Sequence, residues 1–73
     1  MSRDLRQIRE DANNDDLDAF LAEIGVRVRK ARAKRGMTRR ILASDSGVSE
    51  RYLAKLEAGT ANPSAAVMLK LAH

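Results

Sequence analysis

The stretch Ala43-Ser44-Asp45-Ser46-Gly47-Val48-Ser49 decides the architecture of this chain of 73 residues. Leu42 and Ala43 end an apolar face, and Gly47 adopts positive φ without the steric penalty of a Cβ. Two residues on, Ser49 is a favoured N-cap, with Val48 between them as an apolar plug. One helix therefore stops, the chain turns tightly, and a second helix starts at a steep angle to it. Ala43 is small where that second helix must approach. Leu53 and Leu56 give the second helix, about Ser49 to Glu57, its buried side. Ser49, Glu50, Arg51, Tyr52 and Lys55 then point outward at its N-terminal end. The spacing alone leaves two readings open: an ordinary corner between helices with a solvated face, or a helix presented to a groove.

Outward from this stretch the helical signals continue. Thr38 caps the helix that runs from Arg39 to about Asp45 or Ser46. Before it, Leu17, Phe20, Leu21, Ile24, Val28 and Ala31 follow the three-and-four spacing of an amphipathic helix. Asp15 or Asp16 caps its start, Lys34 and Arg35 occupy its last turn, and Gly36 is its left-handed stop. Phe20 reads as core at that spacing, and Met37 and Met68 read as packing. Gly59 ends the helix after the turn, Thr60-Ala61-Asn62-Pro63 is a loop, and Ser64 caps a fourth helix. Val67 or Met68, Leu71 and Ala72 are expected to join the core. No stretch alternates as a strand does, so the fold is expected to be all-α, a compact bundle with four helices. Residues 1–16 are polar, and Leu5, Ile8 and Ala12 are too few to sustain an isolated helix. They are expected to form a flexible N-terminal arm, with 17–73 as the domain.

Charge is distributed unevenly. Residues 1–20 hold six acidic side chains against three arginines, whereas 21–73 hold eleven Lys/Arg against four acids. Between Arg27 and Arg40 there are eight basic residues and no acidic one. A basic body behind an acidic leader suggests a polyanionic partner, nucleic acid before membrane, the bland reading being a well-solvated helix face. No apolar run approaches the roughly 20 residues of a membrane span, and the charged N-terminus is unlike a secretory signal, which makes the cytoplasm the default location. Cysteine is absent and the one histidine is His73, so neither a disulfide nor a metal cluster is expected. Ser44 and Ser46 beside Asp45 have no base placed to activate a hydroxyl, and no cofactor or enzyme activity is expected.

The run Ile24-Gly25-Val26-Arg27-Val28-Arg29, the segment Arg35-Gly36-Met37-Thr38, and Leu42-Ala43 followed by Gly47-Val48-Ser49 resemble the Cro/C1-type, or XRE, helix-turn-helix family. Leu53, Leu56-Glu57, Gly59 and Asn62-Pro63-Ser64 continue the likeness in order, over about residues 20–72. The resemblance implies a lambda-repressor-like bundle of five helices whose third reads double-stranded DNA, usually in a homodimer on a two-fold operator. By the same likeness a fifth helix is missing, and the chain is expected to be a fragment of a longer protein. More loosely, Gly36-Met37-Thr38-Arg39-Arg40 with Gly47-Val48-Ser49-Glu50-Arg51-Tyr52-Leu53-Ala54 is similar to benzoyl-CoA-responsive repressors, which carry a shikimate-kinase-like effector domain.

Residue by residue, the resemblance implies that Glu50, Arg51 and Lys55, with Tyr52 beside them, read bases. Arg39 stands where the family usually has glutamine, at a phosphate-contact position, with Arg40 next to it. Ser49 caps the third helix and touches phosphate, and Asn62 lies in a loop whose amides meet phosphate. Arg32 and Glu57 match a partly buried salt bridge, which makes both structural. The chemistry agrees: Arg51 can present its fork to guanine O6 and N7, and Glu50 can accept from cytosine N4. Glu50 can equally pair with Arg51 or Arg39 and aim it. Tyr52 can meet a thymine methyl or a phosphate, or simply cover apolar surface. A transcriptional regulator, a repressor above all, is the reading that follows. The alternative keeps the fold but turns it into a protein-interaction module, as in an antitoxin or coactivator.

Overall fold

The computed structural model describes residues 14–72, with side chains from Asp15 onward. Four helices follow one another: α1 (Asn14–Lys34), α2 (Arg39–Ser46), α3 (Glu50–Glu57) and α4 (Ala65–Ala72), and the described residues contain no strand. The fold is all-α, as the hydrophobic spacing requires. α1 packs chiefly on α3, α3 on α2, and α4 on α2.

Local chemistry sets each boundary. Thr38 Oγ1 accepts from Ile41 N at 3.1 Å, Ser49 Oγ from Tyr52 N at 3.0 Å and Ser64 Oγ from Val67 N at 3.2 Å. Each cap satisfies one of the amide groups that a helix start leaves without an internal partner. α1 closes with Met37 N donating to Arg32 O and Gly36 N to Ala33 O, both at 3.0 Å. α3 closes in the same way, Thr60 N donating to Lys55 O at 3.0 Å and Gly59 N to Leu56 O at 3.1 Å. These paired bonds, with a left-handed glycine between them, absorb the carbonyls at a helix end.

Leu53 and Leu56 are fully enclosed, and Leu42, Val48 and Ala61 complete the core around them. Ile24, Val28, Met37, Ala43, Tyr52, Val67 and Leu71 pack on its margin. Ala61 is thus a core residue supplied by the loop before α4. A separate apolar groove of about 170 Å³ runs between α1, α2 and α4, floored by Val28, Met37, Leu42 and Leu71, and takes no residue from α3.

Several expectations are corrected. Phe20 is 57% exposed and Leu17 47%, and Ala31 is also exposed, at the wall of the apolar groove rather than in the core. The reason for the first two is length: α1 has 21 residues and is about 31 Å long, while α3 has eight and spans about 12 Å. The first turns of α1 therefore extend beyond the length that α3 can cover. Asp15 and Asp16 lie inside the first turn of α1 rather than capping it, so residues 14–16 are helical where an arm was expected. They still favour the positive end of that helix. Residues 1–13 of the expected arm, and His73, lie outside the described residues. In α4, Val67 and Leu71 pack on the core, whereas Met68, 39% exposed, and Ala72, also exposed, line the apolar groove instead.

Candidate nucleic-acid interface

Presentation of α3 begins in the turn before it. Gly47 has φ +75° and ends α2, its amide donating to Ala43 O at 2.9 Å. Ser46 stitches the same corner: its hydroxyl donates to Leu42 O at 2.7 Å and accepts from Val48 N at 3.2 Å. Val48 drops into the core, and Ser49 starts α3. With Leu53 inside, residues two positions to either side of it lie about 200° around the helix. Arg51 and Lys55 therefore stand opposite the core, and both are exposed. Glu50 is exposed in the first turn.

Arg39, at the start of α2, meets this surface: Arg39, Glu50, Arg51 and Ala54 line one open cleft. Glu50 forms no ion pair with Arg39 or Arg51 among the described residues. Ser49 spends its hydroxyl on the Tyr52 amide. Arg40, Lys55 and Asn62 are exposed, but the structure does not bring them into that cleft. Tyr52 is half-buried and packs on the core, so its ring does cover apolar surface.

Arg32 and Glu57 fix the far end of α3. Arg32 Nε donates to Glu57 Oε2 at 2.8 Å and Nη2 to Oε1 at 2.9 Å, while Nη1 donates to Met37 O at 3.0 Å. The side chains are 18% and 6% exposed, so this pair sits largely out of water. The hydrogen bonds Arg32 donates to Glu57, and then the charge of Glu57, hold the Arg32 guanidinium protonated beyond the ordinary arginine range, against the opposing effect of burial. By contrast, Arg27 and Glu23 form a pair at 3.1 Å that is well exposed and worth little. The other basic residues from Arg29 to Arg40 are exposed, giving α1 and α2 a dense positive surface.

Residues 28–73, more than half of the chain, match a family model described as helix-turn-helix. The chain belongs to the helix-turn-helix family, in its Cro/C1 (XRE) type. Membership carries the coarse function: sequence-specific DNA binding by a transcription regulator. No curated protein and no solved structure matches the chain.

In this helix-turn-helix domain, α2 and α3 are the two helices of the motif, and α1 packs on α3 and braces it. The brace depends on Gly25, to which the sequence reading gave no role. A Cβ at Gly25 would lie 2.5 Å from the Leu56 carbonyl oxygen and 2.7 Å from that of Glu57. Only a bare Cα lets α1 cross the C-terminal end of α3 so closely. The available signal was a lone glycine inside a helical pattern, which costs about 1 kcal/mol against alanine and so implies a packing reason. Among the described residues, no group of three or more metal-ligating side chains assembles, and no helix is long and apolar enough to cross a membrane.

Proposed function

We propose that this domain is the DNA-binding head of a transcriptional repressor that grips a two-fold operator as a homodimer, laying the N-terminal end of α3 in the major groove. The observation that carries the reading is the cleft where Arg39 meets Glu50 and Arg51, exposed side chains of a helix whose other face is fully enclosed. A capped, rigid helix end holding a guanidinium in the open is what bidentate contact with guanine needs. Arg51 reads O6 and N7 of a guanine, Glu50 accepts from a neighbouring cytosine N4, and Lys55 reaches a base one turn further along. Arg39, Arg40, Ser49 and Asn62 contact phosphates and set the register without reading sequence. Tyr52, held against the core, contributes at most its outer edge to base contact.

A single head of this size offers few contacts, and two heads spaced one helical turn apart, about 34–36 Å, multiply them on a two-fold site. Ligand sensing would then belong to a separate effector domain. The narrower likeness to benzoyl-CoA-responsive repressors gains nothing from the family match and forms no part of this proposal.

Selection of bound duplexes from a random pool tests the reading. The expected winners share a short motif repeated about a two-fold centre at one-turn spacing. A shared motif without the repeat would refute the dimer alone. Failure to bind any duplex at low salt would overturn the regulator and favour the interaction module, whose partner is a protein.

A further inference from the structure

We propose that α1 also belongs to the DNA interface, through Arg29, which together with Arg39 clamps a backbone phosphate. The inference rests on the reading of α3 as the DNA-facing helix and enlarges the surface that reading uses.

Arg29 is exposed on α1, five positions before its last residue, Lys34, and the sequence pattern gives it no role. It lines a cleft of about 270 Å³ with Arg32, Arg39, Ala54, Glu57 and Ala58. Arg39 and Ala54 also line the cleft that holds Glu50 and Arg51. The two clefts are therefore neighbours that share a wall, with Arg39 common to both.

Charge in this cleft is not balanced from within. Glu57 is its one acid, and both of its carboxylate oxygens are taken by Arg32 at 2.8 and 2.9 Å. Arg29 and Arg39 thus bring two positive charges to one opening whose carboxylate is already spent. An anion placed between them relieves their repulsion, and a guanidinium fork matches the oxygens of a phosphate. Ala54 and Ala58 leave the mouth clear of bulky side chains. A strand that passes over Arg51 and Arg39 would meet Arg29 next, so the ligand is a phosphate of the same duplex.

The test is the salt dependence of binding to a duplex of random sequence, for the wild type, Arg29→Ala, Arg29→Lys and Lys30→Ala. Lys30 is the neighbouring exposed cation on α1 that lines neither cleft, so its loss removes the same charge without the contact. Losing one phosphate contact lowers the slope of log K against log salt by about 0.9, which weakens binding roughly fifteenfold at about 50 mM salt and about fourfold at about 200 mM. Arg29→Ala is expected to show that change, Arg29→Lys to keep most of the slope, and Lys30→Ala to keep all of it. If Arg29→Ala and Lys30→Ala behave alike, the clamp is wrong although α3 still reads DNA. If the wild type binds no duplex at all, the clamp and the underlying reading fall together. Circular dichroism of each variant separates lost contact from lost fold.

Discussion

Arg32 and Glu57 lie 25 positions apart and meet in two parallel hydrogen bonds at 2.8 and 2.9 Å, which join α1 to α3. A third bond, to the Met37 carbonyl, brings the turn before α2 into the same knot. The pair thus sets where the end of α3 sits relative to the helix that braces it. Its two partners are not equally dispensable, because removing one leaves the other's charge largely desolvated.

Glu57→Ala is accordingly expected to destabilise the domain by about 2–3 kcal/mol, below the range for fully buried pairs because Arg32 retains some solvent. In a domain this small that is a large part of the whole. Urea unfolding followed by circular dichroism reads the loss, and a midpoint equal to wild type would show the pair to be ornamental. Replacing both partners, Arg32→Met with Glu57→Leu, should recover much of it. Because the Arg32 guanidinium is held protonated above its ordinary range, its contribution is fully present below that range and is lost only as pH rises through the folded value. The deficit of Arg32→Met against wild type should therefore owe no pH dependence to Arg32 across neutral pH.

Gly25→Ala sets two effects against each other. Alanine improves helix propensity by about 1 kcal/mol. Its methyl, however, would press on the carbonyl oxygens of Leu56 and Glu57 at 2.5 and 2.7 Å, which are backbone and cannot rotate away. Overpacking against fixed atoms costs about 1–3 kcal/mol or more, so the steric effect wins and the melting temperature falls. Val26→Ala, next along the helix and 37% exposed, is the contrast, with little change or a slight gain. A rise in stability for Gly25→Ala would show that α1 and α3 do not cross this closely.

The contrast between Gly25 and Gly47 shows what the sequence could and could not disclose. Turn glycines announce themselves through neighbours, since Gly47 stands between an apolar face and a serine cap, and that local chemistry gave the boundaries of α2 and α3 closely. The inward faces of Leu42, Val48, Leu53 and Leu56 were equally legible, because short helices must bury their few large residues. Gly25 and Ala61 were not, since their roles depend on an approach by a distant element. The exposure of Leu17 and Phe20 was hidden for the same reason: periodicity shows which face is apolar, not how far the covering helix extends. In the interface, the exposure of Glu50, Arg51 and Lys55 followed from helix geometry. The nearness of Arg39 to Glu50 and Arg51 was anticipated as a pairing, whereas the cleft that adds Arg29 needed the crossing angle of three helices.

Gly47→Ala should destabilise for a different reason. A Cβ built there meets nothing within 4 Å, so no clash is involved. The cost is conformational alone, about 1–2 kcal/mol for holding an ordinary residue at φ +75°. Asparagine tolerates that region better, and Gly47→Asn should lose clearly less than Gly47→Ala in the same urea titration. At Gly25 the order reverses, because any larger side chain meets the same carbonyls. Equal losses for alanine and asparagine at Gly47 would mean that the turn depends on something other than its dihedrals.

Arg51 and Arg39 share one cleft yet should fail in distinguishable ways. Arg51 projects opposite the core from a helix held by Leu53 and Leu56, and the proposed function assigns its guanidinium to base edges, where it would discriminate. Arg51→Ala is expected to reduce the preference for a selected site over random duplex by about 1–3 kcal/mol, roughly 5- to 150-fold, and to leave random binding less affected. On the same proposal Arg39, at the start of α2, is assigned to the backbone, a contact that carries no sequence information. Arg39→Ala should weaken selected and random duplexes by the same factor and lower the salt slope by about 0.9. Titrating both variants against both duplexes over a range of salt separates these patterns. If Arg51→Ala lowers both affinities equally while Arg39→Ala erodes the preference, the roles of the two arginines are exchanged, and α3 lies along the backbone rather than in the groove.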